Sequence, residues 1–193
     1  MINIFYFEQK KGISNNSLKL LSYAYVSIKS KELDYSKVAY GPYGKPFLKD
    51  DDFYFNISHS GKWLVCAVYD EEIGIDIQQL NYNKLGLFEE LYQKVELIDK
   101  LDYHKLVYCT AIWTIKESYF KLVGTGIDDS LNKITVLSIN PTILKCSNHI
   151  IKDIFFHTFL FDEMHIITIA INENFNEKSK RIYFFKVRSL DGK

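Results

Sequence analysis

The stretch IGIDIQQL, residues 73–80, decides how the fold and its chemistry are read. Isoleucine recurs at every second position, 73, 75 and 77, and an aspartate stands at 76. Successive side chains of a strand point to opposite faces, so the isoleucines share one face while Gly74, Asp76 and Gln78 share the other. One face packs into a core and the other is left for chemistry. A carboxylate in such a place is costly to desolvate alone, so a compensating group is expected beside Asp76.

Upstream, FYFNISHS (53–60) and KWLVCAVYD (62–70) read as short strands joined by tight turns. Before them AYGPYGKPFL (39–48) packs two glycines and two prolines into residues 41–46, which demands an ordered turn with Lys45 held in it. INIFYF (2–7) reads as a first strand and SLKLLSYAYVSI (17–28) as a helix with apolar residues at helical spacing. The first half is therefore expected to be a helix against an antiparallel sheet. Downstream, LGLFEELYQKVELIDKL (85–101) and YHKLVYCTAIWTIKESYFKLVG (103–124) read as helical, the second closed by Gly124 as a C-terminal cap. KITVLSI, IIKDIFFHTFLFD, MHIITIAI and RIYFFKV then return to strands. Helices followed by strands, twice over, predict an α+β fold of two similar halves, divided as 1–80 and 81–193. KWLVCAV pairs with MHIITIAI as the one faint internal likeness.

The totals exclude some classes of function. The 193 residues are 47% hydrophobic and 16% aromatic, enough for a substantial core. Lys plus Arg and Asp plus Glu each number 24, a balance that does not favour nucleic acid or a membrane surface as partner, so charge-based recognition is expected to be local. Three dispersed cysteines form neither a CxxC pair nor a zinc spacing, which fits a reducing cytosol. No apolar run has the length of a membrane span, and a soluble, cytoplasmic, unexported protein is expected.

On a helix, Trp113, Glu117 and Lys121 fall at i, i+4 and i+8 along one stripe, while Tyr108, Ile112, Ile115, Tyr119 and Leu122 lie opposite. Taken alone, such a Glu/Lys pair is most often a solvated face contributing a few tenths of a kcal/mol. Beside Asp76 and Gln78, however, Glu117 would complete an oxygen-rich site of the kind Mg²⁺ takes, one or two carboxylates with water and substrate phosphates as the remaining ligands. Lys45, His59, Lys62 and Lys121 are candidate phosphate partners. Ser58, His59 and Ser60 raise a serine nucleophile as an alternative, but no GxSxG elbow or separate acid accompanies them.

Four segments in order, YGKP (43–46), FNISHSGKW (55–63), IGIDIQ (73–78) and WTIKESYFKLVGTGI (113–127), closely resemble the 4′-phosphopantetheinyl transferases of the type that activates surfactin synthetase. The resemblance implies a pseudo-twofold monomer of two α+β halves, each a helix packed on a small antiparallel sheet, with the active site between them. It implies transfer of the phosphopantetheine arm of coenzyme A to a serine of an acyl or peptidyl carrier protein, with release of adenosine 3′,5′-bisphosphate. Carried over at matching positions, Asp76 and Glu117 would hold Mg²⁺ with Gln78 beside them. Lys45 and His59 would contact the coenzyme A nucleotide and its phosphates, Ser58 would lie against the same nucleotide, and Lys121 would hold the pyrophosphate. Glu117 is the candidate base for the carrier serine, while Trp113 and Lys116 would be structural or peripheral. Two departures stand out: the family usually has Glu where this chain has Gln78, and its basic residues for the coenzyme A 3′-phosphate have no match beyond Lys19 and Lys29. Competing readings are a non-catalytic relative that binds coenzyme A or a carrier protein, and a metal-dependent phosphohydrolase.

Overall fold

The computed structural model describes residues 1–9, 16–84, 102–127, 131, 136–140, 143–146, 154–172 and 181–190. In chain order these form β1 (Ile2–Glu8), α1 (Asn16–Lys29), β2 (Val38–Tyr40), β3 (Pro46–Leu48), β4 (Tyr54–Ser60), β5 (Trp63–Tyr69) and β6 (Ile73–Gln79), followed by α2 (Asp102–Val123), β7 (Val136–Asn140), β8 (Ile143–Cys146), β9 (Ile154–Phe161), β10 (His165–Asn172) and β11 (Ile182–Val187). The class is α+β, as expected from the alternation of helical and strand-like periods. The helix read over 85–101 lies outside the described residues.

The alternation of each strand assigns its two faces to different cores. In β5, Leu64, Cys66 and Val68 face a cluster with Leu20, Leu21, Ala24 and Tyr25 of α1. Val65 and Ala67 face the other way and meet Ile73, Ile75, Ile77, Ile167, Ile169 and Ile171. Beyond that second sheet, Ile115, Phe120 and Leu122 of α2 pack on Phe156 and Ala170. The order of layers is α1, first sheet, second sheet, α2. Each isoleucine buried between the sheets contributes about 1.5–3 kcal/mol, which strongly favours the register that turns residues 73, 75 and 77 inward.

The first sheet runs β11-β1-β5-β4 and the second β6-β10-β9-β8-β7, with β2 and β3 forming a separate two-stranded ribbon. The sequence places β6 beside β4 and β5, yet it crosses to the second sheet. β5 is already paired on both edges, by β1 and by β4, and offers no open edge to β6. β10 does, and Asp76 comes to lie opposite Thr168 in that antiparallel pairing. β11 returns to the first sheet and pairs parallel with β1, the one departure from the expected antiparallel arrangement among the described strand pairs.

Where the two sheets meet, β4 and β6 are joined by side chains instead of a backbone ladder. The N–H groups of Ile75, Ile77 and Gln79 donate to Asn56 Oδ1 at 2.9 Å, Ser58 Oγ at 3.3 Å and Ser60 Oγ at 2.9 Å. This is why small polar residues recur at 56, 58 and 60. They satisfy buried strand-edge donors that a core of apolar side chains would leave unpaired.

Candidate active site

The site is built where α2 crosses β6. A Cβ placed on Gly74 would stand 2.0 Å from the Ser118 carbonyl oxygen and 2.6 Å from the Leu122 nitrogen, so the helix backbone rests on the glycine itself. That close approach brings the stripe of α2 bearing Glu117 and Lys121 down beside Asp76, two residues along the same strand face. Gly124 ends the helix with φ +73°, donating its N–H to the Phe120 carbonyl at 2.8 Å, as its predicted capping role requires.

Asp76 is only 5% exposed. Its Oδ1 accepts from Lys121 Nζ at 2.6 Å and from Ser58 Oγ at 2.8 Å. Ser58 Oγ in turn accepts from Lys121 Nζ at 2.8 Å, so serine, aspartate and lysine form a closed triangle. The other oxygen, Oδ2, is buried without a hydrogen-bond partner among the described residues. Glu117, one turn before Lys121, has its carboxyl pushed up to about 7: burial is the main cause, the Asp76 charge adds to it, and the Lys121 ammonium acts in the opposite sense. Glu117 and Lys121 are both half-buried, so the pair does not lie on a fully solvated face.

A cavity of about 260 Å³ opens over this cluster, lined among others by Tyr43, Lys45, Ile57, Glu117, Lys121 and Ile127. The β2–β3 ribbon delivers Lys45 through a tight turn in which Gly41 N–H donates to the Lys45 carbonyl at 2.9 Å. Between the same face of α2 and the sheet, one strand over from Asp76, a chain of hydroxyls, Thr158 to Thr168 at 2.8 Å and Thr168 to Thr114 at 2.7 Å, ties the helix to β9 and β10. Thr114 donates to the Ala111 carbonyl at 2.9 Å, which orients the chain and leaves its other members donating toward α2.

Of the residues singled out in the sequence, Asp76, Ser58, Glu117 and Lys121 come together, with Lys45 on the cavity wall. Gln78 shares the face of Asp76, is half-buried, and turns its amide toward the Gln79 carbonyl at 3.5 Å. His59 is exposed on the opposite face of β4 from Ser58, in the row of Phe55 and Ile57; of that row, Ile57 borders the cavity. Lys62 lies elsewhere, paired with Glu8 at 2.8 Å and placed over the Trp63 ring. Lys29 is occupied by Asp51 and Asp52. Trp113 is half-buried against the α2 core, and Lys116 is fully buried. Sequence reasoning passed over Asn56, Tyr43, Glu72 and Ile127. Only Asn56 carried a signal, the polar alternation at 56, 58 and 60.

Among the described residues no three His, Cys, Asp or Glu side chains gather as a ready-made metal cage. The donors present nevertheless fit a hard divalent cation whose other ligands are water and phosphate: two carboxylates near one another, one with an open buried oxygen, the other raised to about 7 by burial and by the first carboxylate's charge.

Comparison with known proteins bears on the same segments. The family model of the 4′-phosphopantetheinyl transferase superfamily matches residues 72–174, from just before β6 to just after β10. The 4′-phosphopantetheinyl transferase gsp of Aneurinibacillus migulanus is 37% identical over 97 residues, covering 49% of this chain and 40% of that protein. The 4′-phosphopantetheinyl transferase Sfp of Bacillus subtilis (strain 168) is 36% identical over 111 residues, 54% of this chain and 50% of its own. A further Bacillus subtilis 4′-phosphopantetheinyl transferase is 34% identical over 114 residues, 56% and 51% respectively. The chain thus spans about half the length of the curated relatives it matches.

Proposed function

The chain belongs to the 4′-phosphopantetheinyl transferase superfamily, and from that premise we propose that it moves the phosphopantetheine group of coenzyme A to a serine of an acyl or peptidyl carrier protein. One observation carries the reading furthest: a buried aspartate with one oxygen held by Lys121 and Ser58 and the other without a partner among the described residues, its charge felt by a glutamate whose carboxyl is pushed up to about 7, with that glutamate and Lys121 lining a cavity. In the proposed reaction the carrier serine oxygen forms a bond to the phosphorus bearing the pantetheine arm. The pyrophosphate P–O bond breaks, and adenosine 3′,5′-bisphosphate leaves with the electron pair.

Glu117, directly or through a water, takes the serine proton. Lys121, fixed by Asp76 and Ser58, offers its ammonium to the charge that develops on the leaving group. Lys45, on the cavity wall, contacts the donor's phosphates. His59 and Ser58 belong to the donor-binding set by resemblance, Ser58 with a second task of holding Asp76. Mg²⁺, held by Asp76 and Glu117 with Gln78 as a neutral neighbour, would supply charge neutralisation on the pyrophosphate. The pseudo-twofold relation of halves 1–80 and 81–193, a monomeric state and a cytoplasmic location complete the proposal. No described helix is long and apolar enough to cross a membrane.

The test is incubation with coenzyme A, Mg²⁺ and apo carrier proteins of the fatty-acid, polyketide and nonribosomal-peptide classes, read by intact mass. A gain of one phosphopantetheine is expected, absent when the carrier serine is alanine. Donor binding with no gain on any carrier at high enzyme concentration would leave the non-catalytic reading in its place.

A further inference from the structure

We propose that Glu72 gates donor binding: its carboxylate engages Lys45 in the free protein and opposes the donor's phosphates for that cation. The inference rests on the reading of Lys45 as a donor contact. Lys45 Nζ lies 2.6 Å from Glu72 Oε2 and donates to the Leu122 carbonyl at 3.0 Å. It forms a wall shared by two cavities, the one over Glu117 and Lys121 and a second of about 480 Å³ bordered also by Phe47, Glu72 and Leu122.

The two partners of the ion pair are not equally mobile. The Lys45 side chain is 17% exposed and the Glu72 side chain 52%. Leu122 belongs to the last turn of α2, where carbonyls lack intrahelical donors and the helix dipole favours a cation. Lysine is pinned by the helix end, whereas the glutamate can turn into water. An ammonium has three N–H donors, and the glutamate and the carbonyl take two. An arriving phosphate must therefore either accept the third beside a like charge or displace Glu72. In both cases the carboxylate weakens binding. An ion pair this exposed adds little to folding, so its removal leaves the fold in place and the effect on the donor can be read separately.

Isothermal titration with coenzyme A decides it, using wild type, Glu72→Gln, Lys45→Ala and the double variant. Glu72→Gln is expected to tighten the Kd about twofold to fivefold, the range of an exposed ion pair, and Lys45→Ala to weaken it. In the Lys45→Ala background the gain from Glu72→Gln should shrink, since the shared cation is gone. A Kd unchanged or weakened by Glu72→Gln, with Lys45→Ala still weakening, overturns the gate and leaves the donor reading standing. Binding insensitive to Lys45→Ala removes Lys45 from the donor site and the gate with it. No binding by any form overturns the donor reading itself.

Discussion

Asp76 and Asp162 both join an element of the first sheet to one of the second, and their neighbours treat them differently. Asp162, in the β9–β10 turn, accepts from Trp63 Nε1 of β5 through Oδ2 and meets His165 Nδ1 at 2.8 Å through Oδ1. Both of its oxygens are used. Asp76 has Oδ1 shared by Ser58 and Lys121 while Oδ2 is buried and open, a second carboxylate is close enough to feel its charge, and its neighbours Glu117 and Lys121 line a cavity. Buried carboxylate oxygens are as a rule satisfied, so an open Oδ2 with a second carboxylate beside it marks the Asp76 cluster as the candidate ligand site. The clasp also leaves a buried polar atom without a partner among the described residues, His165 Nε2, but that atom is a ring nitrogen and both oxygens of the Asp162 carboxylate are engaged.

The sharpest way to break the comparison is to remove function from one cluster without harming the fold. Glu117→Gln keeps size and shape but cannot take a proton. Carrier modification is expected to fall a hundredfold or more, about the range of a positioned general base, with far-ultraviolet circular dichroism unchanged. Wild-type turnover in pure Glu117→Gln protein would put the two clusters in the same structural class.

Gly74→Ala attacks the geometry that makes the Asp76 cluster possible. The added methyl meets helix backbone, which cannot rotate aside as a side chain can. A loss of about 3 kcal/mol in denaturant-derived stability is expected, at the upper end for overpacking. Loss of activity should accompany it even under conditions where the protein is folded, because α2 must lift and take Glu117 and Lys121 with it.

Asp162→Ala tests the other side. Trp63 Nε1 and His165 Nδ1 both lose their acceptor, at a cost of about 1–3 kcal/mol for buried donors left unsatisfied. Activity per folded molecule should be kept. A collapse of turnover in folded Asp162→Ala protein would mean that the clasp serves the reaction and that the distinction drawn from partner counts misleads.

The two clusters also differ in how far the sequence disclosed them. Asp76 was legible because it interrupts an isoleucine alternation, and Glu117 with Lys121 because α-helical spacing places them on one stripe. Both patterns are local. Asp162, in the β9–β10 turn, and His165, at the start of β10, stand three residues apart and carry no pattern, and Trp63, the other partner of Asp162, comes from another sheet. The same limit hid the path of β6: its alternation fixed which side chains face inward, but its pairing with β10 depends on β5 being enclosed by β1 and β4, and the β1–β11 pair joins the two ends of the chain. Lys45 was found through its Gly/Pro turn. Glu72 was not, since an acidic residue in DEE reads as an ordinary exposed turn until Lys45 is seen against it.

The smallest expected effect, and the most specific to the Asp76 cluster, is in the pH dependence of stability. Glu117 is raised from an ordinary 4.5 to about 7 in the folded protein, so between those values the folded state holds a proton that the unfolded state has released. Stability from this group is greatest below about 4.5 and declines as pH rises through about 7, opposite to the usual paired carboxylate. Other groups titrate in the same window, so the quantity to measure is the difference between wild type and Glu117→Gln in urea midpoints from pH 4.5 to 8. The wild-type midpoint should fall relative to the variant as pH rises, because ionising Glu117 places a second negative charge beside Asp76 in a poorly hydrated site. A difference that stays flat across the window would mean that Glu117 is better solvated than its burial implies and that Asp76 lacks the close anionic neighbour that sets it apart from Asp162.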